Sequence, residues 1–212
     1  MLKCLILSLL SASAFAHQVT VSVNSNQDTP VYQAVVYVQS EQTISTLADT
    51  KQVSVMDQID RQFVPHILAV QRGTQVVFPN SDSIKHHVYS FSDAKPFELK
   101  LYKDINAPPM QFGTAGEVEL GCNVHDWMLA YIWVVDTPYF AKTDKRGNAL
   151  LNVPEGNYTL KVWHPHIQDK LDSLEQVISV ERNHNINLVL KQDLLEDPSH
   201  FKYQTDEFAD YD

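Results

Sequence analysis

The stretch GCNVHDWM, residues 121–128, brings a thiol, an imidazole and a thioether into one short turn at Cys122, His125 and Met128. Thiolate and thioether sulfur are soft ligands, and together with imidazole they suit copper better than zinc, magnesium or calcium. A fourth ligand must come from elsewhere in the chain, and the stretch NSDSIKHHV at residues 80–88 offers one. The two stretches together predict one mononuclear copper site.

The upstream stretch contains two adjacent histidines, His86 and His87, so the fourth ligand is not fixed by composition alone. Successive residues of a β-strand point to opposite faces of the sheet, and only one of the two imidazoles can therefore face the metal. On the residues alone, the choice between His86 and His87 stays open.

Short apolar stretches with period-two alternation surround the copper motif, which is the pattern of an all-β sandwich. Residues 63–70 predict a single strand, and residues 118–122 and 129–135 predict the strands on either side of the ligand turn. Helical spacing occurs only over residues 168–174. The remaining predicted strands lie in residues 18–40, 53–56, 75–78, 86–91, 97–102, 158–163, 177–180 and 186–190.

The first 16 residues have the pattern of a signal peptide. Lys3 is followed by an apolar run, and the small residues AFA at 14–16 form a cleavage site, with ASA at 12–14 as a competing one. Cleavage after Ala16 makes His17 the first residue of the mature chain. Because the apolar run is too short to cross a bilayer, we predict a periplasmic protein without a membrane span.

The chain contains two cysteines, and Cys4 leaves with the signal peptide. Cys122 is then the sole thiol of a protein in an oxidising compartment, where it has no internal disulfide partner. Free cysteine is often a buried, inert residue, but here His125 and Met128 stand beside it. Binding to a metal would protect this thiol from oxidation and explain its presence.

The chain is acidic, with 16 Lys and Arg residues against 26 Asp and Glu residues and a formal net charge of −10. Such an acidic chain is a poor candidate for binding nucleic acid, because the phosphates would repel it. It suits electrostatic steering toward a basic partner such as a cationic cytochrome.

The copper motif and its flanks resemble the cupredoxin family, especially plastocyanin and amicyanin. The resemblance covers roughly residues 50–136 and rests on FVP at 63–65, GTQVVFPN at 73–80, HHV at 86–88 and the Cys-x2-His-x2-Met turn. It implies a Greek-key sandwich that holds copper with four ligands and selects His86 over His87. It also implies that the Asn80 side chain ties the two ligand loops together near the sulfur. The implied ligands are His86, Cys122, His125 and Met128.

The flanking segments resemble a carboxypeptidase regulatory-like, transthyretin-type sandwich, on PVYQAVVYV at 30–38, TDKRG at 143–147 and VPEGNYTLKV at 153–162. Together the two resemblances are similar to periplasmic cupredoxin proteins of the methylamine-utilization type. They imply a cupredoxin inserted in, or packed against, a second small sandwich. The predicted boundaries are 1–16 for the signal peptide, 17–48 and 137–191 for the second sandwich, 49–136 for the copper domain and 192–212 for an acidic tail.

The other histidines have no partner at ligand spacing. His17 would need a second histidine opposite it to form the histidine brace of copper monooxygenases, and the sequence does not locate one. His164 and His166, in the run HPH, are a weaker candidate for a second metal site. The remaining ones, which we expect at the surface or in caps, are His66, His184 and His200.

The function implied by the cupredoxin resemblance is that of a type 1, or blue, copper protein that carries single electrons and is not an enzyme. Its partner would be a redox protein such as a c-type cytochrome or a dehydrogenase. Two alternatives stay open: a copper-binding chaperone or sensor, and a structural or ligand-binding sandwich with an accessory copper site.

Overall fold

The computed structural model describes residues 16–40, 48, 53–103 and 108–198. Within these residues the regular structure is seventeen β-strands and one 3₁₀ turn, Leu171–Leu174, so the predicted all-β fold is confirmed. The strands are β1 Ala16–Asn24, β2 Val35–Gln39, β3 Val53–Val55, β4 Asp57–Ile59, β5 Gln62–Val64, β6 Ile67–Gln71, β7 Gln75–Val77, β8 His86–Ser90, β9 Phe97–Tyr102, β10 Met110–Gln111, β11 Gly116–Cys122, β12 Leu129–Val135, β13 Phe140–Lys142, β14 Asn148–Pro154, β15 Gly156–Trp163, β16 Gln176–Val180 and β17 His184–Val189.

Strands β3 to β12 form what we call the inner unit. Its five-stranded sheet has the order β6-β12-β11-β8-β9, and a three-stranded sheet has the order β10-β7-β3. Two of the four neighbouring pairs in the first sheet join strands that are distant in sequence: β6 is parallel to β12, and β8 is antiparallel to β11. Inward residues of both sheets, such as Val76, Leu120 and Ile132, share one fully buried core. The hydrophobic face of each sheet is thereby removed from water, as in a β-sandwich.

Strands β1, β2 and β13 to β17 form the outer unit. One sheet has the order β14-β1-β17 and the other β13-β2-β15-β16. Val19, Val21 and Val23 alternate inward along β1 and are fully buried, together with Val36 and Leu160 from the second sheet. The strands before the inner unit therefore pair only with strands that follow it in the chain: β1 with β14 and β17, and β2 with β13 and β15.

The two units meet through a third buried cluster. Ile67 and Tyr131 of the inner unit pack against Val35 and Trp163 of the outer unit. Trp163 also stacks on Trp133, with ring centroids 4.5 Å apart and planes at 9°. This apolar contact fixes β12, which begins directly after the ligand turn, against the outer unit.

The predicted strand over residues 63–70 is interrupted in the structure. β5 ends at Val64 and β6 begins at Ile67, with Pro65 between them. Proline has no backbone N–H to donate to a ladder and so is excluded from the interior of a sheet. The interruption brings His66 out of the strand and toward the outer unit.

The predicted hairpin turn at residues 143–148 is present between β13 and β14. Asp144 accepts hydrogen bonds from the N–H groups of Arg146 and Asn148, at 2.8 and 2.9 Å. Gly147 has a φ of 74°, and a Cβ there would lie 2.5 Å from the Val23 carbonyl oxygen. Only glycine satisfies both the left-handed backbone and this close approach.

Two predicted segments lie wholly or partly outside the described residues: the signal peptide, of which only Ala16 is described, and the tail beyond residue 198. The first part of the tail, residues 192–198, packs on the outer unit. The Leu195 N–H donates to the His166 carbonyl at 2.9 Å, and Gln27 donates to the Asp193 carboxylate at 2.6 Å. In the described part of the chain, no helix has the length and apolarity that a bilayer crossing requires.

Replacing Leu160 with alanine should lower the free energy of unfolding by about 2–5 kcal/mol, because the side chain is fully buried in the outer core and its loss leaves a cavity. Denaturant titration followed by circular dichroism measures the change. Val177→Ala on the neighbouring strand β16 is the control, since Val177 is 86% exposed and should change stability little. Equal stability of the two variants would contradict the assignment of Leu160 to the core.

Candidate metal centre

The ligand turn is a short connection between two paired strands. β11 ends at Cys122 and β12 begins at Leu129, so the turn is closed at its base by the pairing of Gly121 with Leu129. Within it, the Met128 N–H donates to the His125 carbonyl at 3.0 Å. The turn is thus held by the backbone of a central strand pair.

The structure brings together three of the four predicted ligands, with donor atoms of His86, Cys122 and His125 all within 4.8 Å of one another. Cys122 Sγ lies 3.8 Å from His86 Nδ1, and the two imidazole centroids are 5.1 Å apart. His86 is fully buried, Cys122 is 4% exposed and His125 is half-buried. Among the described residues, no other set of three His, Cys, Asp or Glu side chains meets this distance.

The fourth predicted ligand, Met128, is buried at 1% exposure in the same core cluster as Cys122. Its side chain therefore lies inside the sandwich, away from solvent. The predicted donor set of one thiolate, two imidazoles and one thioether is soft and fits copper. It contains no oxygen ligand, which harder ions such as magnesium and calcium prefer.

His86 and His87 point in opposite directions from β8. His86 faces the cluster, whereas His87 Nε2 lies 2.8 Å from the Glu98 carboxylate on the outer side of the sheet. The alternation of side chains along a strand is the reason. The structure therefore places His86 beside Cys122 and places His87 away from it.

Asp82 is a site residue that the sequence reasoning missed. Its Oδ2 lies 2.7 Å from His86 Nε2, on the side of the imidazole opposite to Cys122. The carboxylate also accepts hydrogen bonds from the N–H groups of Asp60 and Arg61, at 2.6 and 2.9 Å, in the turn between β4 and β5. A carboxylate that fixes the second nitrogen of a ligating histidine orients the ring and raises its basicity.

Burial raises the pKa of Asp82, but the hydrogen bonds from Arg61, His86 and Asp60 outweigh it and hold that pKa below its usual range. The side chain is therefore an anion at neutral pH. The sequence signal for this contact was the Asp-x3-His spacing of Asp82 and His86. The spacing alone does not predict the contact, because the carboxylate is held in place by the turn between β4 and β5.

Asn80 does not make the contact that the resemblance implied. Its amide donates to the carbonyls of Ile84 and Tyr102, both at 2.9 Å, and its Oδ1 accepts from the Asp82 N–H at 3.0 Å. These bonds hold the loop that carries Asp82 and His86 against β9. They do not reach the Cys122 loop, whose sulfur instead accepts the Val124 N–H at 3.5 Å.

The electrostatics of the cluster favour the ligating form of the thiol. Burial raises the pKa of Cys122, but hydrogen bonds from His86 and from the backbone N–H groups of His87, Val124 and His125 outweigh it, so the pKa lies below its usual range. For His86 the directions are reversed: burial lowers its pKa, but the contacts with Cys122 and Asp82 outweigh burial, so the pKa lies above its usual value. The thiolate is the form that binds metal.

The turn carries two further side chains on its outer side. Trp127 is half-buried, with its ring 5.2 Å from that of His125, and it packs against the inner core. Val124 is 48% exposed. His125 is consequently the predicted ligand nearest to the surface.

None of the remaining described histidines belongs to the cluster of His86, Cys122 and His125. His17 on β1 lies 3.1 Å from the Glu155 carboxylate, and His184 lies on β17. His66, His164 and His166 come together where the two units meet, which the sequence spacing did not predict. His200 is outside the described residues.

Comparison with known proteins gives likeness at the level of structure only. No family model matches the chain, and no curated protein matches it. Solved structures of amicyanin match it at 20–21% identity and a TM-score of 0.36, covering 47% of this chain and 98% of theirs. A copper-containing nitrite reductase from Thermus scotoductus SA-01 matches at 22% identity and a TM-score of 0.36, covering 38% of this chain. The chain spans about a fifth of that reductase, 22% of its length.

Proposed function

We propose that this protein is a blue copper electron carrier that holds one copper ion with His86, Cys122, His125 and Met128. The observation that carries the proposal is the meeting of two imidazoles with the Cys122 thiol, with donor atoms within 4.8 Å of one another. One thiolate and two imidazoles are the equatorial ligands of such a centre, and a thioether is its weak axial ligand.

When bound, copper supplies the one-electron couple, and the chain supplies a fixed set of ligands. His86 stands on β8 and Cys122 ends β11, and these strands pair directly at Cys122 and Val88. Asp82 holds the far nitrogen of His86 at 2.7 Å. Ligands fixed in this way move little between two oxidation states, which keeps the reorganisation cost of electron transfer low.

The protein's visible and paramagnetic resonance spectra test the proposal. After loading with one equivalent of Cu²⁺, the protein should show the intense thiolate-to-copper band of a blue copper centre. A colourless protein that retains Zn²⁺ in preference to copper would overturn the proposal. Zinc with Cys and His ligands forms closed structural sites and transfers no electrons.

Replacing Met128 with leucine should preserve copper binding but raise the reduction potential, because a weak axial donor that stabilises Cu(II) is lost. Protein-film voltammetry of the copper-loaded variant measures the shift. Met110→Leu is the matched control, since Met110 packs on the same core from β10 and is not among the proposed ligands. If the potential of Met128→Leu equals that of the wild type, Met128 is not the axial ligand.

Two features favour electron transfer over a copper chaperone or sensor. A chaperone releases its metal and favours exposed Met and His clusters, whereas His86, Cys122 and Met128 are buried. The whole chain has four methionines, too few for a methionine-rich transfer site. A four-ligand centre also leaves no open position for a substrate, which argues against an enzyme.

We also propose that the chain contains a discontinuous domain. Residues 17–48 and 137–191 form a carboxypeptidase regulatory-like sandwich, and the copper domain, residues 49–136, is inserted between them. The pairing of β1 and β2 exclusively with strands β13 to β17 supports this division. Residues 1–16 act as a signal peptide in this proposal, which places the protein in the periplasm. There a redox protein, such as a c-type cytochrome or a dehydrogenase, exchanges electrons with it.

A further inference from the structure

A second group of histidines lies where the inner and outer units meet, and the proposed function does not use it. His66 lies between β5 and β6 of the inner unit, while His164 and His166 directly follow β15 of the outer unit. Nearby is a cavity of about 310 Å³, which we call the junction cavity. It is bordered by His66, His164, Asp197, Gln33, Phe63 and Trp127.

The spacing of His164 and His166 suits two ligands of one metal ion. Their ring centroids are 5.3 Å apart with planes at 76°, close to the 5.1 Å and 59° of His86 and His125. Metal–nitrogen bonds of about 2 Å in a tetrahedral arrangement put two ligating rings about 5 Å apart between centroids. Both side chains are buried, at 9% and 7% exposure.

His66 and Asp197 supply two further donors from other parts of the chain. The His66 Nε2 and the Asp197 Oδ2 are 3.4 Å apart, and both residues line the junction cavity with His164. Tyr131 connects the group, because its ring meets His66 and His166 edge-on at centroid distances of 5.7 and 6.1 Å. His66, His164 and Asp197 therefore border one cavity, and the His166 ring lies next to it, beside His164 and Tyr131.

His164 is already in the charge state that a metal ligand requires. Burial, and then the proximity of His166 and His66, lower the pKa of His164 to about 3, so the ring is neutral at pH 7. The His166 N–H donates to the His164 Nδ1 at 3.3 Å. Because Nδ1 accepts this bond, the ring proton is on Nε2, so binding of an ion at Nε2 would break this long hydrogen bond and require the tautomer with the proton on Nδ1.

We propose that His66, His164, His166 and Asp197 form a second metal site, for a divalent ion of borderline softness such as Zn²⁺. Three nitrogens and one oxygen are a donor set that zinc and its neighbours accept. The donor atoms are more widely spread than those of the His86 set, so the ion draws them together by side-chain rotation. It would join the inner unit, the outer unit and the segment 192–198 through one centre.

The test is zinc binding to the full protein whose first site already holds copper. Wild-type protein loaded with one equivalent of Cu²⁺ is titrated with Zn²⁺, and both metals are counted after desalting. We expect one zinc per chain with the copper colour unchanged. Zinc X-ray absorption should show only nitrogen and oxygen neighbours. Sulfur around zinc would place it at Cys122 and overturn the proposal, as would a chain that retains no zinc.

Substitutions test whether these residues bind zinc or are only packed together in the folded protein. His166→Gln and Asp197→Asn should each weaken zinc binding by about tenfold or more, while the copper band stays intact. Asp197 lies in the C-terminal segment, so its variant remains informative if His166→Gln fails to fold. His184→Gln on β17 is the matched control and should bind zinc as the wild type does. Unchanged zinc affinity in both junction variants would overturn the proposal, whereas loss of colour alone would count only against the copper site.

Discussion

Replacing Cys122 with serine is expected to abolish the intense visible band of the copper-loaded protein while leaving a folded β protein. The band is a charge transfer from thiolate sulfur to copper, and a serine oxygen cannot supply it. The fold should persist because Cys122 is one small member of a core that includes Phe78, Leu120 and Ile132. Absorption spectroscopy and far-UV circular dichroism of the same sample measure the two effects.

The control for this variant is Asn123→Ser, which introduces the same residue at the next position of the turn. Asn123 is exposed, and its N–H donates to the His87 carbonyl through the backbone, which the substitution preserves. The control should keep the full band. An intense band that survives in Cys122→Ser would refute the thiolate as a ligand, since no other cysteine is present in residues 17–212.

Replacing Asp82 with asparagine is expected to lower copper affinity by about 10–100-fold, the usual cost of losing the carboxylate behind a ligating histidine. The amide has nearly the same shape, but it carries no charge to raise the basicity of His86. Its single oxygen also replaces only one of the two carboxylate oxygens that accept the Asp60 and Arg61 N–H groups, and its NH2 group cannot accept the other bond. Competition against a chelator of known affinity measures the change.

Asp57→Asn provides the matched control for Asp82. Asp57 is a neighbouring carboxylate that accepts hydrogen bonds from the Ser81 hydroxyl, at 2.8 Å, and from the Gln58 N–H, but not from His86. Its variant should bind copper as tightly as the wild type. If the two variants have the same affinity, Asp82 serves only to hold the hairpin turn, and the orientation of His86 must have another source.

The copper ligands and the junction cavity are held by different parts of the fold. The ligand turn is carried by the central pair β11 and β12, whose inward residues, such as Leu120 and Ile132, are buried in the inner core. The junction cavity is formed by loops from both units and by the segment 192–198. A substitution in the outer core, such as Leu160→Ala, should therefore disturb the junction cavity before it disturbs the ligand turn.

Local patterns in the sequence were sufficient for the all-β class and for much of the candidate site. Cys122, His125 and Met128 lie within one turn, so their proximity follows from the covalent chain. The opposite directions of His86 and His87 follow from the period of a β-strand. The strand prediction was wrong over residues 63–70, because Pro65 interrupts the ladder there.

Only the tertiary structure decided which distant groups meet. Asp82 is held beside His86 because a hairpin turn directs two N–H groups at its carboxylate. Asn80 binds the end of β9, whereas the resemblance implied that it binds the Cys122 loop. Strands β6 to β15 separate His66 from His164 in the sequence, yet the two residues border one cavity. The sequence by itself determined the residues that are near in the chain and the faces to which they point. Contacts between distant residues depend on how β2 and β15 pair around the inner unit, and no local pattern encodes that pairing.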